Sequence, residues 1–279
     1  MMSQSSPRVP QGRVGMPAIL GVINVSPESP NRSSVATTPA EAVRLAKRHV
    51  RNGAAIVDVG GRSSSHDSPV ISVSEEQHRI LPVIRALKDA GIRVSIDTWS
   101  AETALEAIDC GVDFVNFTGE DPSSALCEAV ARKGLSLSLS YMPYGDPYGM
   151  RTAPAKLASI EEIVTYFEAQ LAGPARAVGG KLILDPNIGM LHGAIRSNRP
   201  LAIAWRVSII SQIWRLAPLG APVMLALPRR DGAGATTIWA VSILMSGAAF
   251  VRTHHPAIIV RTAEVLDCLP GSARQSLHE

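Results

Sequence analysis

The feature that most constrains this chain is a count of eight short strand-like runs, separated by stretches that carry helical start signals. The runs are AILGVIN (18–24), AAIVDVG (54–60), IRVSID (92–97), DFVNF (113–117), LSLSLSY (135–141), KLILD (181–185), APVMLAL (221–227) and AAFVRT (248–253). Runs this apolar suit strands buried on both faces, as parallel strands are. Between them, Thr38-Pro39-Ala40-Glu41 offers a cap, a proline at the first helical position and a glutamate to close a capping box. Ser74 with Gln77 and Ser159 with Glu162 repeat the device, and Ile160, Ile163, Val164, Phe167 and Leu171 then follow helical spacing. Eight β/α alternations with no change of composition predict an α/β chain folded as a single closed (β/α)8 TIM barrel. A doubly wound open sheet is the alternative left by element order alone.

At 279 residues the chain has the length of such a barrel, which needs roughly 250. Hydrophobic residues make up 46% and aromatics only 4%, so the interior is built from Ala, Val, Ile and Leu. Residues 1–15, MMSQSSPRVPQGRVG, lack an apolar segment of the signal-peptide kind and read as a disordered leader, with residues 16–279 as the barrel. Three cysteines without CxxC spacing argue against a disulfide framework or a zinc site and fit a reducing, cytoplasmic setting. The net charge is +3, from arginines scattered without aromatic partners, so no nucleic-acid partner is expected. The apolar run that starts at Thr236 is shorter than the roughly 18 residues that suggest a membrane span. It reads as a buried helix followed by a strand, and no membrane partner is expected.

In a barrel of this kind chemistry gathers at the C-terminal ends of the strands. Those ends carry Asn24, Asp58 with Gly60-Gly61, Asp97, Asn116, Tyr141, Asp185, the loop Pro228-Arg229-Arg230-Asp231, and Arg252 with His254. Any one of them would be unremarked as a helix cap or a wetted loop. Together they mark a mouth. Asp97, Asn116 and Asp185 could hydrogen-bond a flat, guanidine-like edge such as that of a 2-amino-pyrimidinone, because a carboxylate takes two donors and an amide both gives and takes. Arg252 and His254 alternate along the last strand and its exit, where barrels often bind phosphate. No acidic cluster or HxxH spacing predicts a tightly held metal, but Mg²⁺ arriving with a diphosphate needs only one or two oxygen ligands, of which Asn24 is a candidate.

These residues carry a family resemblance. NVSPES resembles the NVTPDSF opening of the pterin-binding barrel family that includes dihydropteroate synthase, VDVGGRSSS resembles its DIGGESTRP, and VSIDTWS its VSIDT. VNF resembles its INDV, LDPNIG its DPGIGFGK, and VRTHH its RVHDV. The resemblance runs over essentially the whole chain after the leader. It implies a transferase that joins p-aminobenzoate, or a related arylamine, to a pterin diphosphate in folate biosynthesis, with Mg²⁺ as cofactor. By similarity Asn24 would meet the Mg²⁺ diphosphate end, Asp97, Asn116 and Asp185 the pterin ring, and Arg252 with His254 the departing diphosphate. Arg62, Ser64 and Arg229 would line the substrate pocket, and Arg230 would act where the family's SRKS motif has its lysine.

The chain departs from the pattern mainly at the amine-binding edge: Ser65 aligns with the arginine of STRP, and Arg62 replaces a glutamate. Two further readings follow from such departures, a pterin-binding paralogue with altered or no catalysis and a methyltetrahydrofolate-dependent methyltransferase on the same barrel. A homodimer is expected, with Ile203, Ile209, Ile210, Ile213 and Trp214 available either to barrel packing or to the dimer contact.

Overall fold

The structure, a computed structural model, describes residues 16–228 and 233–268. The expected leader and the loop residues Arg229 and Arg230 lie outside the described residues. Eight parallel strands form, each within or a residue beyond its predicted run: β1 Ala18–Asn24, β2 Ile56–Gly60, β3 Val94–Thr98, β4 Phe114–Phe117, β5 Ser136–Ser140, β6 Leu182–Asp185, β7 Met224–Ala226 and β8 Phe250–Thr253. Their order is β6-β5-β4-β3-β2-β1-β8-β7. The remaining seam, between β6 and β7, is spanned by an isolated bridge from Leu184 to Val223, where Leu184 N–H donates to the Pro222 carbonyl at 2.9 Å. The closed barrel expected from the alternation is therefore the fold, nearly closed at this one seam.

The helices are α1 Pro39–Arg51, α2 Val73–Asp89, α3 Ala101–Asp109, α4 Ser124–Lys133, α5 Gly149–Thr152, α6 Ile160–Ala172, α7 Gly193–Ser197, α8 Arg199–Ser211, α9 Ala233–Met245 and α10 Pro256–Asp267. Capping boxes close the starts of α1, through Thr38 and Glu41, and α6, through Ser159 and Glu162. For α2 the expected start is two residues late: Ser72, not Ser74, caps the helix by accepting from Glu75 N–H. Both serines precede a side chain able to complete the motif, and the extended backbone of Ser72 decides between them.

Strand alternation sorts the barrel into layers. Outward residues such as Val57, Val59, Ile96, Val115 and Leu139 are buried beneath the helices in the main core. Inward residues Leu20, Ile56, Phe114, Ile183 and Met224 form a separate apolar floor inside the barrel. One pleat higher, Ile56, Phe114 and Ile183 give way to Asp58, Asn116 and Asp185, joined by Arg252 of β8 and Ser138 of β5, while Val22 and Ala226 above Leu20 and Met224 stay apolar. The floor is thus dry and the layer above it polar, which places the chemistry at the C-terminal mouth.

Two outer elements refine the sequence reading. Ile209, Ile210 and Ile213 are buried in the core, so they serve barrel packing, whereas Trp214 is 69% exposed. Helix α9 buries Trp239, Ala240 and Ile243 but leaves Ile238 68% exposed, so the helix expected to be buried is buried on one face only.

Candidate active site

Arg252 is the hub of the polar layer. From β8 its Nε donates to Asp58 Oδ2 at 2.6 Å and its Nη2 to Asp97 Oδ2 at 2.5 Å, linking β8 to β2 and β3. Asp58, with no exposed surface, also accepts from Ser95 Oγ at 2.6 Å and from Asn116 Nδ2 at 3.3 Å. Burial works against the charge on Arg252, yet Asp97, Asp58 and Asp185 outweigh it and hold the guanidinium above its usual range. The sequence placed Asp97 and Arg252 in different roles, as ring and diphosphate contacts. The fold pairs them across the mouth through Nε and Nη2, and no contact of Nη1 is seen among the described residues.

The three residues expected to meet a heterocycle come together here, all lining one cavity. Burial raises the Asp97 carboxyl to about 6, against the opposing pull of Arg252. Burial raises Asp185 further, to about 7, although its Oδ1 accepts from Asn187 N–H at 2.7 Å. Asn187 makes that turn with a left-handed φ of 59°, a conformation asparagine tolerates, while its Nδ2 donates to the Tyr141 carbonyl at 3.0 Å. Asn116 is 1% exposed and its Oδ1 has no hydrogen-bond partner among the described residues. A buried acceptor left open costs about 1–3 kcal/mol, which a bound donor would recover.

On the other side of the mouth, Asn24, Ser34 and His254 converge. Ser34 Oγ is fully buried, donates to the Asn31 carbonyl at 3.1 Å, accepts from Asn24 Nδ2 at 3.2 Å and lies 2.6 Å from His254 Nδ1. Ser34 is thus the common partner of Asn24 and His254. A Cβ on Gly60 would stand 3.4 Å from Asp97 Oδ2 and 3.8 Å from Asn24 Oδ1, so glycine keeps the space between the two groups open.

The second loop supplies the third wall. Arg62 and Ser64 both line the cavity. Arg62 Nε lies 2.9 Å from Glu76 Oε2, and its guanidinium stacks 5.2 Å from the Trp99 ring centre. Glu76 has no exposed surface and takes hydroxyl hydrogen bonds from Thr98 and Thr103, each at 2.9 Å; burial raises its carboxyl above the usual range despite Arg62. Arg151 of α5 fastens the loop by donating to the carbonyls of Ser68 (2.7 Å), Ser65 (2.6 Å) and Ser63 (3.3 Å). It stacks on Tyr148 at 4.5 Å, and Tyr148 meets Trp99 edge-on at 5.1 Å.

Sequence reasoning placed Asp58 at the mouth without assigning it a contact, and did not single out Ser34, Trp99 or Arg151. Asp58 had a usable signal, because it occupies the same inward pleat as Asn116. Ser34 and Arg151 had none, since each acts through partners set by the fold: His254 is 220 residues away from Ser34.

A polar mouth at the C-terminal end of an eight-stranded barrel defines a class, and comparison agrees. The family model for pterin binding enzymes matches residues 20–254, and the chain belongs to that family. Dihydropteroate synthase type-1 of Escherichia coli is 31% identical over 253 residues, covering 86% of this chain and 90% of the relative. Solved dihydropteroate synthases share the fold. That of Yersinia pestis, in a sulfonamide drug complex, superposes with a TM-score of 0.76 at 23% identity over 95% of this chain and 96% of the other. That of Thermus thermophilus, in complex with 4-aminobenzoate, gives 0.73 at 24% identity over 91% and 95%. Within the family the chain is a dihydropteroate synthase-like transferase.

Proposed function

We propose that this site joins p-aminobenzoate, or a related arylamine, to a pterin diphosphate, forming a carbon–nitrogen bond and releasing diphosphate. The observation that carries the reading is the open, buried acceptor of Asn116 beside two carboxyls whose proton affinity is raised, an arrangement that suits the donor-rich edge of a pterin. In the step itself, the amine lone pair attacks the methylene carbon attached to the ring. The carbon–oxygen bond breaks with its electrons leaving on diphosphate, and the amine sheds a proton to water. Such a displacement needs alignment and stabilisation of the leaving charge more than a strong base. Asp97, Asn116 and Asp185 would align the ring, while His254, Asn24 and the free edge of Arg252 would receive the diphosphate.

Magnesium fits the donor chemistry present. Asn24 Nδ2 is spent on Ser34, which leaves the amide Oδ1, a hard oxygen, as one protein ligand. When bound, the ion would neutralise diphosphate charge. We further propose a cytoplasmic homodimer. Among the described residues no helix is long and apolar enough to cross a membrane, and Trp214, Ile238 and Val265 expose apolar surface on the outer elements from 213 to 267.

Calorimetric titration tests the reading. Pterin diphosphate should bind more tightly than the corresponding pterin alcohol, and Mg²⁺ should widen the gap. Equal affinity for the two ligands, with or without Mg²⁺, would defeat it.

A further inference from the structure

On the wall formed by the second and third loops, several hydrogen-bond donors have no acceptor. Arg62 Nε and Nη2 and Trp99 Nε1 are all buried atoms with no hydrogen-bond partner among the described residues, and both residues line the cavity. The Arg62 side chain is only 6% exposed. Its Nε lies 2.9 Å from Glu76 Oε2, so charge is balanced while Nη2 of the fork is left unfilled. A purely structural counter-ion for Glu76 accounts for the charge and not for the geometry. Glu76 already takes hydrogen bonds from Thr98 and Thr103, and an arginine placed only to neutralise it would engage it through the fork. It would also leave the neighbouring indole N–H without a purpose.

A planar anion in the cavity would satisfy these donors together. The place of this wall indicates which anion. The proposed ring contacts come from β3, β4 and β6 and the proposed diphosphate contacts from β1 and β8, whereas Arg62 follows β2. Around it, Ser63 and Ser65 are held by the carbonyl clamp of Arg151, and Trp99 is braced edge-on by Tyr148. A cation in that setting is fixed before a ligand arrives, which limits the ordering cost of recognition. We infer that Arg62, with Trp99 Nε1 beside it, is the specificity-determining contact for the amine substrate and takes the carboxylate of an aromatic amino acid-type ligand such as p-aminobenzoate. The inference rests on the synthase reading above and assigns the anion contact to residue 62, where the resembling motif has an acid, in a loop with serine at 65.

The experiment compares p-aminobenzoate with its uncharged carboxamide, titrated with pterin alcohol filling the ring site. The proteins are the natural chain, Arg62→Lys, Arg62→Gln and the double variant Arg62→Gln/Glu76→Gln. The double variant is included because Arg62→Gln alone strands a buried carboxylate and risks the fold, which circular dichroism checks. The natural protein should prefer the carboxylate about tenfold or more, consistent with a charge-assisted hydrogen bond. Arg62→Lys should keep part of that preference, and the folded glutamine variant should lose it while pterin diphosphate affinity stays within about twofold. A carboxylate preference that persists in the folded double variant overturns the inference, and so does a loss that falls on pterin diphosphate instead. A natural protein that fails to bind pterin diphosphate at all overturns the synthase reading and takes this inference with it.

Discussion

Replacing Asp58 by asparagine should cost both stability and pterin affinity. Three donors converge on this buried carboxylate: Arg252 Nε and Ser95 Oγ at 2.6 Å and Asn116 Nδ2 at 3.3 Å. In Asp58→Asn one oxygen becomes an NH₂. Turned toward Oδ2 it would face two donors, so it must take the Oδ1 place, where the Ser95 hydroxyl can rotate to accept. The shape then survives but the charge opposite Arg252 is gone. Removing one partner of a buried pair costs about 3–5 kcal/mol. Arg252 keeps Asp97 and a neutral hydrogen bond to the new amide, and the carboxyl of Asp97 is relieved of the Asp58 charge that helps to raise it. The loss therefore falls at the low end, about 3 kcal/mol, or about 6–12 °C in melting temperature at this chain length. With Asn116 less firmly held, pterin should bind about tenfold more weakly. Scanning calorimetry and pterin titration measure the two effects. A variant that melts within about 2 °C of the natural protein and binds pterin equally well would show that Asp58 is not the hub's anchor.

Three other outcomes follow from the same site. Asp185, held up to about 7, must ionise to accept ring donors, so pterin affinity should climb about tenfold per pH unit toward 7 and level off above it. For the fold the sign is opposite: a carboxyl raised from 3.8 stabilises the native state at low pH and loses that contribution as pH rises through 7. Asp185→Asn should flatten both dependences, and an unchanged binding profile would exclude Asp185 as the titrating group. Ser34→Ala should remove most of the preference for pterin diphosphate over pterin alcohol, because Asn24 and His254 lose their common partner, while alcohol affinity holds; a preserved preference would refute that coupling. Trp214→Asp should convert a dimer to a monomer in sedimentation velocity at micromolar concentration, and a dimer that survives would place the contact elsewhere.

The barrel was legible because its strand and helix signals are local. Runs such as AAIVDVG need only burial on both faces to become strands, and the capping boxes at Thr38 and Ser159 are complete within four residues. That Asp97, Asn116 and Asp185 line one cavity was legible because strand ends in a barrel share one mouth. Pairing was not. Asp97 and Arg252 read as independent contacts in sequence, and only the register of β8 on β1 brings them within 2.5 Å. Likewise Ser65 read as a missing cation, while the guanidinium of Arg62 turns out to be buried against Glu76 and Trp99. Side chains that reach another loop obey distances that no local spacing encodes.

The way the sheet closes has a consequence for how the molecule is made. During synthesis β1 to β6 emerge first and can form one curved sheet, but its β1 edge has no neighbour until β8 follows, near the end of the chain. Among the described residues the opposite edge, β6, gains only the isolated bridge from Leu184 to Val223. An arc that paired at that stage would hold Asp58 and Asp97 side by side with no cation between them. Arg252 arrives on the last strand, so the arc closes and its carboxylates are neutralised in the same event. A chain cut short before β8 would lack both the closing strand and the charge that makes its mouth tolerable, and the cell would meet it as an aggregation-prone fragment with no pterin site.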